Sequence, residues 1–181
     1  MNDKWLFSAA ESTFFVRFLM SPHDETADPL QPHSHDPNPA PPSTDPAFEL
    51  VLPDGRSQTI TVHDLQQLPT TSVPNCYIVS TGHGTSGPFT FTGATLLDFV
   101  RHYCPEPWSQ VEVISTDGFG NRVLAVELYQ PDPAGPIVLA YQMDGQPLTR
   151  EQGLVRLIVP SERDDALRQV KWVGMVKVVG D

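Results

Sequence analysis

The chain has 181 residues, with 11 Lys and Arg against 22 Asp and Glu, a formal net charge of −11. That length suits one domain with a real core, or one domain and a tail. A chain this acidic is a poor general binder of nucleic acid or anionic membrane, and two cysteines without C-x-x-C spacing support neither a disulfide framework nor a structural zinc site.

Trp5 to Met20 is apolar but broken by Glu11 and Arg17. It lacks a basic leader followed by a clean apolar stretch and a small-residue cleavage site. No stretch approaches the ~20 apolar residues that cross a bilayer. The expectation is a cytoplasmic protein without a membrane span, whose first segment is a docking helix or non-native sequence from an upstream start codon. Residues 21–46 carry prolines at 22, 29, 32, 37, 39, 41, 42 and 46 and no apolar periodicity. Proline removes backbone donors and restricts its predecessor, so neither helix nor sheet propagates. This is a disordered, partly extended linker. Its His23, His33 and His35 are a conceivable metal site or, more plainly, solvated histidines. The chain therefore divides into 1–46, apolar segment and linker, and 47–181, one globular domain.

Within that domain, Glu49–Pro53 and Gln58–Val62 flank Asp54-Gly55, a hairpin signal. Thr61 caps a short helix with Leu65 and Leu68 on one face, stopped by Pro69. Val73–Ser80 and Phe89–Phe91 read as strands. Ala94–Tyr103 reads as a helix with Leu96, Leu97, Val100 and Tyr103 as its core stripe, and Cys104 behind it as buried filler. Val111–Thr116, Arg122–Tyr129 and Ile137–Met143 read as strands, separated by turns at Asp117-Gly118 and Asp144-Gly145. Leu154–Val159 and Val170–Val179 close the domain. Many strands and two short helices predict an α+β single domain of mixed, mostly antiparallel β-sheet.

No βαβ rhythm, dinucleotide fingerprint, phosphate loop, nucleophile elbow or His-Glu-x-x-His is present. Glu112 and Glu127 fall on predicted strands without an evident partner, so a general acid–base pair is not supported. From Arg150 onward there are six basic residues (Arg150, Arg156, Arg163, Arg168, Lys171, Lys177) and five acidic ones, net +1, against −12 for the rest. An anion site belongs in that segment, unless these are simply solvated surface charges.

The order of several blocks is more specific than any one of them. Val62–Pro69 is followed by a strand ending in Ser80-Thr81-Gly82-His83-Gly84, then by Phe91–Phe99, Ser115–Phe119, Leu139–Leu148, Gly153–Pro160 and Arg168–Val173. This series resembles the molybdopterin-binding domain of the sulfite-oxidase-like superfamily over about 130 residues. The resemblance implies a molybdenum cofactor: a metal held by a pterin dithiolene, one protein cysteine thiolate, and a pterin phosphate gripped by Arg, Lys, His and backbone amides. Carried over by motif, Arg168 and Lys171 match the basic pair of Arg-x-Val-Lys-Trp, and would contact phosphate and pterin. Arg156 matches the arginine of Gly-x-x-Arg-Leu-x-Val-Pro, as a ligand contact or a partly buried ion pair. Gly82 and His83 form the turn after the ligand-bearing strand, where backbone amides and an imidazole reach an anion, or a simple loop. Trp172 is core. Phe119 stands where many relatives have Tyr.

Ser80 stands at the metal-ligand position of the family's cysteine, and a neutral hydroxyl is a harder, weaker ligand than thiolate. Cys76 lies four residues earlier, about 13 Å away on a regular strand. It reaches the site only if a bulge at Pro74 and Asn75 changes the register. Three functions follow: oxygen-atom transfer to or from a small oxyanion or sulfoxide, with a redox protein partner; a non-catalytic relative binding pterin, another small anion or a protein; or a structural domain tethered by the linker.

Overall fold

The computed structural model describes residues 43–80, 84–105, 107–162 and 168–180. The apolar N-terminal segment, nearly all of the linker with its three histidines, Gly82, His83 and Arg163 lie outside them. In chain order the elements are β1 (Phe48–Val51), β2 (Ser57–Ile60), α1 (Val62–Gln66), β3 (Thr70–Ser80), β4 (Gly84–Thr95), α2 (Leu96–Tyr103), β5 (Gln110–Ser115), β6 (Gly120–Leu124), α3 (Ala125–Tyr129), β7 (Val138–Met143), β8 (Gln146–Pro147), β9 (Arg156–Ile158) and β10 (Val173–Val179). They form two sheets, ordered β2-β1-β10-β5-β6 and β3-β4-β7-β8, with β9 added on β7. Only β1 and β10 pair in parallel among the described residues; the other pairs are antiparallel. The expected mixed, mostly antiparallel α+β domain is the one observed.

The helices start where their caps dictate. Thr61 and Asp64 close a reciprocal capping box at α1, the Asp64 carboxylate accepting from the Thr61 N–H at 2.8 Å. Thr95 caps α2, accepting from the Asp98 N–H at 3.0 Å, so the helix begins two residues later than the sequence pattern suggests. Ala94 and Thr95 stay in β4, paired with Leu139 and Val138 of β7. Leu96, Phe99 and Val100 bury the inner face of α2.

Strand parity separates two cores. In β7, Leu139 and Tyr141 join the main cluster, between the two sheets and under the helices, whereas Val138 and Ala140 join a second cluster with Val73, Cys76, Phe91, Leu148 and Ile158. The second sheet thus has an inner face on the main core and an outer face with its own apolar patch. Gly93 lets β4 approach β7: a Cβ there would collide with the Leu139 carbonyl.

One expected strand is two elements. Arg122–Tyr129 divides into the end of β6 and helix α3, because Glu127 reaches back to accept the Leu124 N–H at 2.9 Å and starts a helical turn. The β3–β4 hairpin is longer than predicted, at 11 and 12 residues per strand. It is also irregular: pairing shifts between Val73 and Cys76, and again between Cys76 and Ile78.

Candidate anion site

The site grows from β9 and the segment leading into β10. Leu157 and Val170 exchange both backbone hydrogen bonds, at 2.9 and 3.2 Å, which lays residues 168–172 alongside β9. Arg156 stands opposite Ala140 of β7 and shares the outer face of the sheet with Ile158. It is 6% exposed. Its Nη1 donates to the Gln152 carbonyl at 3.0 Å, and its buried Nε has no hydrogen-bond partner. No carboxylate among the described residues pairs with it. Burial pushes the guanidinium pKa down to about 10.

Lys171 closes in on the same spot. Its Nζ lies 3.9 Å from the centroid of the Trp172 ring. Partial burial and then the Arg156 charge lower its pKa, opposed by the carboxylates of Asp117 and Glu151. Gly153 makes this approach possible. At φ +109° it occupies backbone space that side chains avoid, and a Cβ there would sit 2.6 Å from Lys171 Cγ and 3.2 Å from Arg156 Cγ. Leu154 and Trp172 are also left-handed, at φ 56° and 52°. Such backbone costs of order 1–3 kcal/mol per residue and concentrates at functional sites. The Trp172 indole anchors the turn by donating to the Arg150 carbonyl at 2.7 Å.

The hairpin is tied to this segment by a side-chain bond. Asn75, at φ 59°, forms the bulge in β3 that bends the strand. Farther along, the Tyr77 carbonyl accepts from Gln169 Nε2 at 2.8 Å, while the buried Gln169 Oε1 has no partner. One residue, Val170, separates Gln169 from Lys171, so the distal half of the hairpin is tied beside the cationic pair. The backbone of Ser80 pairs with Gly84 at the end of that hairpin.

Arg168 goes elsewhere. Its guanidinium pairs with Glu127 of α3 at 2.7 Å, on the wall of a cleft of about 250 Å³ that Gln130, Asp132 and Ser161 also line. The structure therefore brings Arg156 and Lys171 together and turns Arg168 toward α3. It also gives Glu127 the partner that the sequence does not show. Gln169 is a site residue that sequence reasoning missed, while Arg150 and Gly153 appeared there only as members of the basic segment and of the glycine-arginine motif. Only the glycine carried a signal, three residues before Arg156 in a run of apolar strand residues. Trp172 is buried, as expected.

A phosphate-bearing pterin and a thiolate-held metal make different demands. An unmatched buried guanidinium Nε beside an ammonium fits the phosphate end. The thiolate is not supplied. The chain has two cysteines, and both are buried. Cys104 ends α2 in the main core. Cys76 sits in the outer apolar cluster, 1% exposed, its thiol directed at the Val73 carbonyl at 3.5 Å. The bulge that could have brought Cys76 to the ligand position exists, but it lies before Cys76. The second irregularity, opposite Ser86 to Phe89, puts its extra residue on β4. Neither shortens the stretch from Cys76 to Ser80.

Known proteins share this architecture. Sulfane dehydrogenase SoxCD from Paracoccus pantotrophus superposes with a TM-score of 0.58 at 19% identity, over 75% of this chain and 38% of that one, a likeness of fold. The mitochondrial sulfite oxidase of Drosophila melanogaster is 28% identical over 159 residues, 72% of this chain and 27% of that protein. The human mitochondrial sulfite oxidase is 48% identical over a shorter stretch of 48 residues, 26% of this chain and 8% of that protein. The chain thus spans about a quarter or less of the length of these curated relatives. The family described as the oxidoreductase molybdopterin binding domain matches residues 39–181. On that match the chain belongs to the sulfite-oxidase-like family of molybdopterin-binding oxidoreductase domains.

Proposed function

We propose that this domain holds an anionic pterin, the molybdenum cofactor or its metal-free form, without thiolate-supported oxygen-atom transfer of its own. One observation carries the reading: a buried Arg156 with an unmatched Nε, facing Lys171 rather than a carboxylate. Two adjacent, partly desolvated cations are unfavourable unless an anion completes them. A phosphate or pyrophosphate oxygen does so, with a charge-assisted bond from Arg156 and a point charge from Lys171. In this reading Ser80, Gly82 and His83 supply further contacts to the pterin, as the family resemblance implies. Arg168 stays paired with Glu127 on the wall of the α3 cleft. With its metal, the cofactor would supply oxygen-atom transfer to or from a small oxyanion or sulfoxide, and Arg156 and Lys171 would bind and orient it.

Expression in a host that makes the cofactor, followed by metal analysis and pterin fluorescence, tests this. Pterin is expected without stoichiometric molybdenum, and Arg156→Met with Lys171→Met should remove it. Folded protein with neither pterin nor metal overturns the proposal. Stoichiometric molybdenum that is lost in Ser80→Ala and kept in Cys76→Ala would instead assign serine ligation, and with it oxygen-atom transfer and a redox protein partner.

A further inference from the structure

We propose that Lys171 is an acylation site whose donor is an acyl phosphate, captured through its phosphate by the Arg156–Lys171 pair. The capture rests on the anion-holding reading above; the acyl transfer goes beyond it.

The chain has three lysines, at 4, 171 and 177. Lys4 lies outside the described residues. Lys177 Nζ pairs with Glu112 at 3.3 Å, and that carboxylate repels a phosphate-bearing donor. Lys171 is held differently. A Cβ on Gly153 would sit 2.6 Å from its Cγ and 3.2 Å from that of Arg156, so the two cationic side chains pass the same glycine. Its Nζ lies over the Trp172 ring at 3.9 Å, and no carboxylate among the described residues is within ion-pair distance. Half-burial and the Arg156 charge favour the neutral amine; Asp117 and Glu151 each oppose this with a smaller effect. A neutral lysine beside another cation is an activated nucleophile.

Arg156 supplies the other half of the chemistry. Its buried Nε has no hydrogen-bond partner, and a phosphate oxygen completes it with a charge-assisted bond. In an acyl phosphate the carbonyl carbon is joined to phosphorus through a single oxygen. A donor held by its phosphate therefore presents that carbon to the neighbouring amine. The Lys171 amine attacks it. A C–N bond forms, the bond from the carbonyl carbon to the bridging oxygen breaks, and the electron pair leaves with the phosphate, whose charge Arg156 stabilises. The amine's proton passes to the released phosphate. The product is a neutral amide. One of the two cations is lost, so the acylated protein holds anions less tightly.

The full chain incubated with acetyl phosphate, with acetylation rates read by peptide mass spectrometry, tests this. Lys171 should react about tenfold or more faster than Lys177. Inorganic pyrophosphate should remove that preference without any substitution, and Arg156→Met should remove it too. The N-hydroxysuccinimide ester of acetate, a donor without phosphate, should show no more than about a third of it. Once Lys171 is acetylated, pyrophosphate should bind about tenfold or more weaker. An undiminished preference with the ester overturns phosphate capture, and unchanged pyrophosphate affinity after acetylation takes Lys171 out of the site. Equal rates at the two lysines in a protein that binds pyrophosphate overturn the acyl transfer and leave the anion-holding reading standing. Equal rates in a protein that binds no pyrophosphate sink both.

Discussion

Arg156 shows how a single side chain reports a missing partner. With a folded-state pKa near 10, its burial costs the free protein roughly 3 kcal/mol relative to a solvated guanidinium. Methionine at this position keeps the stem's apolar contacts and removes the charge. Arg156→Met should therefore stabilise the ligand-free protein by about 1–2 kcal/mol, even after losing the bond to Gln152. The sign reverses with pterin bound. Alkaline pH gives an independent check. Below pH 10 folded and unfolded chains both hold the proton, and the penalty is constant. Above it the folded form releases its proton first, so the unfolded state binds more protons and wild-type stability rises with pH. The advantage of Arg156→Met should shrink between pH 10 and 11 in urea melts. A variant less stable than wild type at pH 7 would mean that the guanidinium is compensated within the protein.

At the scale of elements, the distal half of the hairpin β3–β4 is held by a side-chain clamp. Gln169 donates to the Tyr77 carbonyl from a segment 92 residues away in sequence. Gln169→Met removes that donor and the unpartnered Oε1 together, so global stability should change by less than about 1 kcal/mol. Local opening should not be spared. Amide hydrogen exchange in residues 77–80 and 84–86 should quicken at least tenfold, while β5 and β10 keep their protection. Unchanged exchange there would show that pairing within the hairpin alone holds it. This clamp was not legible in the sequence, since a glutamine between Arg168 and Val170 looks like any other polar residue beside a strand. The division of Arg122–Tyr129 was hidden for a related reason. Val123-Leu124-Ala125-Val126 is a continuous apolar run, and such a run carries neither the period of two nor that of 3.6. The blocks containing Arg156 and Lys171 were legible because glycine, arginine, proline and tryptophan sit at fixed offsets. What sequence could not give was direction. Arg168 and Lys171 are three apart on an extended segment, and such spacing sends side chains to opposite faces.

On the scale of the whole molecule, the cationic pair sits at the seam of the two sheets. β9 belongs to one sheet and β10 to the other. The chain between them is cross-tied where Trp172 donates to Gly153 at 3.2 Å and Val173 donates to Val155 at 3.0 Å. Thr116, just past β5, donates to the Trp172 carbonyl at 2.9 Å. The parallel pairing of β1 with β10 then links the start of the domain to its end. An anion held by Arg156 and Lys171 should therefore stabilise the domain as one cooperative unit. Inorganic pyrophosphate at a hundredfold excess over its Kd should add about 2.7 kcal/mol, raising Tm by roughly 8 °C in a domain of this size. Hydrogen exchange should slow to a similar degree in β1, β5 and β10 and in β7 and β9, and Arg156→Met should lose the whole effect. Slowing confined to β7 and β9 would place the anion on one sheet's face rather than at the seam, and an equal Tm shift in Arg156→Met would remove the arginine from the site.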